Sequence, residues 1–85
     1  EVVPAGQLLD RAFAIARTML ANSPAAMART KRAIWGAKQR DLDDALQYAW
    51  DLIIQNNQGA DYKEGMRAFT EKRPPRWQPY APDLQ

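Results

Sequence analysis

Apolar residues recur at spacings of three and four along most of the chain, the period of helices with one buried face. Leu8, Leu9, Ala12, Phe13, Ile15, Ala16, Met19 and Leu20 form a wide stripe, with Asp10, Arg11, Arg17 and Thr18 opposite. The pattern predicts a helix over 5–21 whose stripe is wide enough to meet two neighbours. Asn22-Ser23-Pro24 breaks it and starts another. Ser23 suits the N-cap, and Pro24 suits the first helical position, where a missing amide costs nothing. This second helix is expected over 24–39, with Met27, Ile34 and Trp35 as its apolar contacts. Asp41 then caps a third helix over 42–56, built on Leu42, Leu46, Ala49, Trp50 and Ile53. Asn56-Asn57-Gln58-Gly59 ends it, with Gly59 or an Asn available for a left-handed C-cap. A shorter fourth helix is expected over 62–73. Asp61 and Glu64 have the spacing of a capping box, and Tyr62, Met66 and Phe69 share a face. Pro74 and Pro75 are the stop. No stretch reads as a strand. The expected fold is all-α: a linker over 1–4, a four-helix domain over 5–73, and an extended Pro/aromatic tail over 74–85 whose rings can lie across a groove.

Composition narrows the chemistry. The 85 residues make at most one small domain, and 46% are apolar. There is no Cys and no His, which excludes disulfides, thiol nucleophiles, Cys/His zinc sites and histidine acid–base chemistry within the chain. No apolar run approaches the roughly 18 residues of a spanning helix, and no charged-then-apolar leader stands at Glu1. No membrane association is expected. The formal charge of +2 is too mild to argue for nucleic acid. The basic second helix, with Arg29, Lys31, Arg32, Lys38 and Arg40, carries the alternative of a helical nucleic-acid-binding domain. Against it, the turn holds a proline and no glycine, and Ile34 and Trp35 interrupt the cations; no nucleic-acid partner is expected.

Asp43, Asp44 and Asp61 are explained by caps and helix dipoles without chemistry. Ser23 has no histidine to activate it. No catalytic residue and no metal ligand is assigned. Phe69 and Lys72 are the candidate site residues. They lie three apart, so on a helix they share a face. From spacing alone, Phe69 reads first as core and Lys72 as a solvated last-turn cation. Lys63, Arg67, Arg73 and Arg76 add positive charge nearby, and Arg67 can pair with Glu71.

The run Asp-x-x-Glu-Gly-x-x-Ala-Phe-x-Glu-Lys-Arg-x-Pro, from Asp61 to Pro75, resembles the C-terminal signature of the enoyl-CoA hydratase/isomerase (crotonase) family. Val2-Val3-Pro4, Asn22-Ser23-Pro24-x-Ala26 and Lys31 extend the likeness upstream. The chain departs from the pattern at Gly59, where Ser or Thr is more usual, and at Pro74, which replaces a commonly basic residue. The resemblance implies the C-terminal helical domain of an acyl-CoA enzyme, with the catalytic machinery in an N-terminal domain that this chain lacks. It implies a cytoplasmic parent of fatty acid metabolism, trimeric or hexameric, acting on a coenzyme A thioester. Two backbone amides of that parent polarise the thioester and stabilise an enolate. It further implies that Phe69 and Lys72 help line the coenzyme A pocket, often that of a neighbouring subunit. The chain by itself is expected to be inactive and to bind no cofactor. An alternative of another class is a free-standing helical protein–protein interaction module, which calls for a closed monomer core and no affinity for coenzyme A.

Overall fold

The computed structural model describes residues 1–80, and among these the regular structure is entirely helical. A 3-10 turn (Ala5–Gln7) leads into α1 (Leu8–Met19), followed by α2 (Pro24–Ala37), α3 (Leu42–Asn57) and α4 (Ala60–Glu71). Residues 81–85 of the expected tail lie outside the described residues. None of the helices is long and apolar enough to cross a membrane. The expected helices are all present. Residues 5–7 form the 3-10 turn instead of opening α1, and α4 is displaced two residues towards the N-terminus.

Local signals explain most of the boundaries. Ser23 Oγ accepts from the Ala26 amide (3.2 Å), Pro24 occupies the first turn of α2, and Asp41 Oδ1 accepts from the Asp44 amide (2.9 Å). The C-terminus of α2 is closed by side chains. The Arg40 guanidinium donates to the Gly36 carbonyl (2.8 Å) and lies 3.9 Å from the Tyr48 ring centroid. Lys38 stands 4.1 Å over Trp35. Cations here complement the helix dipole, and each ring contact contributes about 0.5–1 kcal/mol at an exposed site. Gly36 is needed for this arrangement, because a Cβ there would fall 2.5 Å from the Tyr48 ring.

Gly59 corrects the expected C-cap. Its φ of −83° is not left-handed, and it serves as the N-cap of α4. Asp61 therefore sits inside the first turn and is not the cap, so the Asp61–Glu64 capping box does not form. Nor do the prolines end α4. It stops at Glu71, before Pro74, because Lys72 turns left-handed at φ 53° and ψ 47°.

The helices do not close around a core. α2 and α3 pack along each other, α4 touches α3 lightly, and α1 has no substantial contact with another α-helix. Among the described residues, only Leu52 and Ala68 of the apolar side chains are buried. Neither of the two neighbours expected for the α1 stripe is supplied by the described helices. The radius of gyration is 16.0 Å, against about 12 Å for a compact chain of this length. Glu1 folds back to pair with Arg11 (2.9 Å), which anchors the first residues on α1.

Candidate functional site

α4 and the segment that follows it carry a cluster of polar side chains joined by hydrogen bonds. It begins at Asp61, near the positive end of the helix dipole. Asp61 Oδ2 accepts from the Ser23 hydroxyl (2.6 Å) and Oδ1 accepts from the Gln78 amide (2.9 Å). Both Ser23 and Asp61 are buried. Since Ser23 also caps α2, one carboxylate ties the α1–α2 turn, the start of α4 and the returning tail. The tail is held a second time at Trp77. Its Nε1–H donates to the Ala21 carbonyl (3.0 Å), and its ring lies against Gly65, where a Cβ would sit 3.4 Å away. The tail aromatic thus lies in a groove as expected.

The second part of the cluster is built on Glu64, about one turn further along α4, which binds the segment beyond the helix. The Arg73 guanidinium donates to both Glu64 oxygens (2.6 and 3.1 Å), and the Arg76 amide donates to one of them (2.8 Å). Arg73 Nε also donates to Glu71 (2.6 Å). The expected Arg67–Glu71 pair is replaced by this one. The left-handed turn at Lys72 is closed by the Arg73 amide on the Ala68 carbonyl (3.1 Å) and the Lys72 amide on the Phe69 carbonyl (3.3 Å), the pattern of a Schellman motif.

The Arg73 hydrogen bonds, then the Arg76 amide, hold the Glu64 carboxyl well below its ordinary 4.5, at about 2. Arg73 is in turn raised, first by Glu64 and then by Glu71. Because the folded value of Glu64 lies below the unfolded one, its contribution is complete above about pH 4.5 and is lost as pH falls towards 2. Between these values, acid is expected to lower the protection of the Arg76 amide, its exchange rate taken relative to the intrinsic rate at the same pH, in the wild-type chain. In Glu64→Gln the protection should already be low at neutral pH and should change little on acidification. Equal acid sensitivity in both proteins would refute this role.

Phe69 is 87% exposed, so the expectation that it is core does not hold for this chain. Lys72 is also exposed, but it stands just past the helix, so the two do not share a helical face in the expected sense. They are adjacent at one tip through the Lys72–Phe69 backbone hydrogen bond. Arg73 is taken up by two carboxylates and adds little free positive field. Lys63 and Arg67 line an open groove along α4 with Tyr62, Met66 and Thr70.

Sequence reasoning missed the Ser23–Asp61–Gln78 connection and the hub at Glu64. It also missed Arg29, which crosses from α2 to Asn56 of α3 (3.1 Å) at the rim of an apolar groove of about 260 Å³. The positions of Asp61 and Glu64 within the Asp61–Pro75 run were a usable signal. Their partners were not legible.

The sequence pattern of the family described as enoyl-CoA hydratase/isomerase matches residues 1–80. A putative enoyl-CoA hydratase of Thermus thermophilus is 34% identical over 76 residues, which cover 89% of this chain and 30% of that protein. The short-chain-enoyl-CoA hydratase of Clostridium acetobutylicum is 34% identical over 73 residues, covering 86% of this chain and 28% of that protein. The crystal structure of an enoyl-CoA hydratase/isomerase from Mycobacterium paratuberculosis superposes with a TM-score of 0.86 at 37% identity, over 92% of this chain and 31% of that one. The chain thus spans about 30% of the length of such relatives. With the match running over nearly all of its described residues, the chain belongs to the enoyl-CoA hydratase/isomerase (crotonase) family.

Proposed function

We propose that this chain is the C-terminal, oligomerising and coenzyme A-site-completing domain of an enoyl-CoA hydratase/isomerase-like acyl-CoA enzyme of the cytoplasm. The relatives that it matches are named as enoyl-CoA hydratases, and the chain spans under a third of their length. The observation that carries the reading is the tip of α4. An aromatic ring stands almost fully exposed there, beside a lysine held in a defined turn. A coenzyme A adenine offers a flat apolar ring and its ribose a 3′-phosphate, and Phe69 and Lys72 suit these in turn. The reaction itself belongs to a catalytic domain outside this chain, whose backbone amides would polarise the thioester. The chain by itself should turn over no crotonyl-CoA; turnover above a contaminant-free control overturns this. The open arrangement also argues against the free-standing module, which calls for a closed core.

The test is Lys72→Ala in the full-length enzyme. Loss of a charge-assisted contact is expected to weaken coenzyme A binding by about tenfold to hundredfold, with 3′-dephospho-coenzyme A little affected. The melting temperature should barely move, because an exposed lysine contributes little to stability. Equal weakening of both ligands means that Lys72 does not read the 3′-phosphate, and weakening of neither removes the ligand role.

A further inference from the structure

Lys72 is the only non-glycine residue at positive φ among the described residues. An L side chain adopts that conformation only at a cost, so something must hold it there. On the helix side, the Ala68 and Phe69 carbonyls accept from the Arg73 and Lys72 amides. On the tail side, the next residue, Arg73, spans both oxygens of Glu64, and the Arg76 amide lands on the same carboxylate. Among the described residues, Glu64, eight positions earlier on α4, is therefore the one side chain that holds both Arg73 and the Arg76 amide; Glu71 takes a further bond from Arg73, and the tail is held again only at Trp77 and Gln78. This ion pair is shielded: the Glu64 side chain is 18% exposed and that of Arg73 27%.

We propose that Glu64 is a positioning residue for Lys72, holding the left-handed turn that aims its ammonium at a ligand phosphate. The proposal rests on the ligand reading above and extends it to a residue that touches no ligand. A lysine side chain is long and freely rotating, so it gains from a phosphate contact only if its base is already placed. Once the clamp is released, Arg73 keeps only its bond to Glu71, residues 74–76 are held only from Trp77 and Gln78 beyond them, and the turn relaxes.

The sign of the effect separates positioning from simple electrostatics. Glu64 is an anion near an anion site. If it acted only through its field, Glu64→Gln would strengthen phosphate binding and free Arg73 to assist. Positioning requires the opposite.

The experiment measures binding of coenzyme A and 3′-dephospho-coenzyme A to the full-length enzyme, comparing wild type, Lys72→Ala, Glu64→Gln and the double variant. Lys72→Ala is expected to lower the preference for coenzyme A by about tenfold or more. Glu64→Gln should lower it severalfold, and the double variant should be no worse than Lys72→Ala alone, because the clamp then has nothing to position. A preference that is unchanged or raised in Glu64→Gln, or losses that add in the double variant, would overturn the proposal while leaving the role of Lys72 intact. If Lys72→Ala itself changes nothing, the ligand reading falls instead. The clamp is then judged by NMR, where Glu64→Gln must move the Lys72 φ out of the left-handed region; an unmoved φ overturns it. Should Glu64→Gln fail to fold, Arg73→Lys carries the same comparisons, since it keeps the charge but cannot span both oxygens.

Discussion

Asp61→Ala is expected to destabilise the protein by about 2–4 kcal/mol, because it strips a carboxylate from two donors at once. The Ser23 hydroxyl and the Gln78 amide both end on Asp61, and the site is nearly closed to solvent, with Asp61 8% exposed. Each hydrogen bond to a charged group is worth about 1.5–3 kcal/mol, and partial access of water after truncation reduces the sum. Asp61→Asn should fall between wild type and alanine, since an amide keeps one acceptor oxygen but presents a donor to the other partner. Ser23→Ala loses the α2 cap as well as this contact, about 1–2 kcal/mol for the cap. Because Ser23 and Asp61 touch, the double variant should show a coupling of about 0.5–3 kcal/mol. Gln78→Ala should be nearly silent, because Gln78 contributes through its backbone amide. Urea unfolding of the four variants and the Ser23/Asp61 double variant measures all of these. A loss below about 0.5 kcal/mol for Asp61→Ala is the range of an ordinary surface site and would refute the clamp.

The isolated chain is expected to self-associate. It exposes 7185 Å², against about 5100 Å² for a compact protein of its 9.7 kDa. The excess of roughly 2000 Å² exceeds the ~800 Å² that one partner buries in a standard interface. Much of it is apolar: Leu9 and Phe13 on α1, Trp35 on α2, and Leu46 and Trp50 on α3 are all more than half exposed. Surfaces of this extent rarely stay bare. Sedimentation at rising concentration should show species larger than the monomer, and a charge at Phe13 or Trp50 should shift the distribution towards smaller ones. A monomer at every concentration would show that the face needs no cover. Within the proposed parent, the same surface is where the catalytic domain and neighbouring subunits would sit.

The helices, and most of their starts, were determined by the sequence itself. Their physics is local: apolar spacing of three and four, Ser23 and Asp41 three residues from the amides they cap, and Pro24 in a first turn. The identity of the family was equally legible, in the run from Asp61 to Pro75. What the residues in that run do was decided by tertiary structure. Asp61 read as a cap because Glu64 follows at capping-box spacing, yet its partners lie 38 and 17 residues away. Glu64 read as the other half of that box, yet it holds Arg73 and the Arg76 amide, 9 and 12 residues on. Spacing cannot choose among several competent donors; only the placement of the α1–α2 turn and of the returning tail against α4 brings these into reach. Phe69 read as core because it lies on the apolar face of a helix. It is exposed because none of the described helices reaches that face, and apolar periodicity states that a face is to be buried without stating by what.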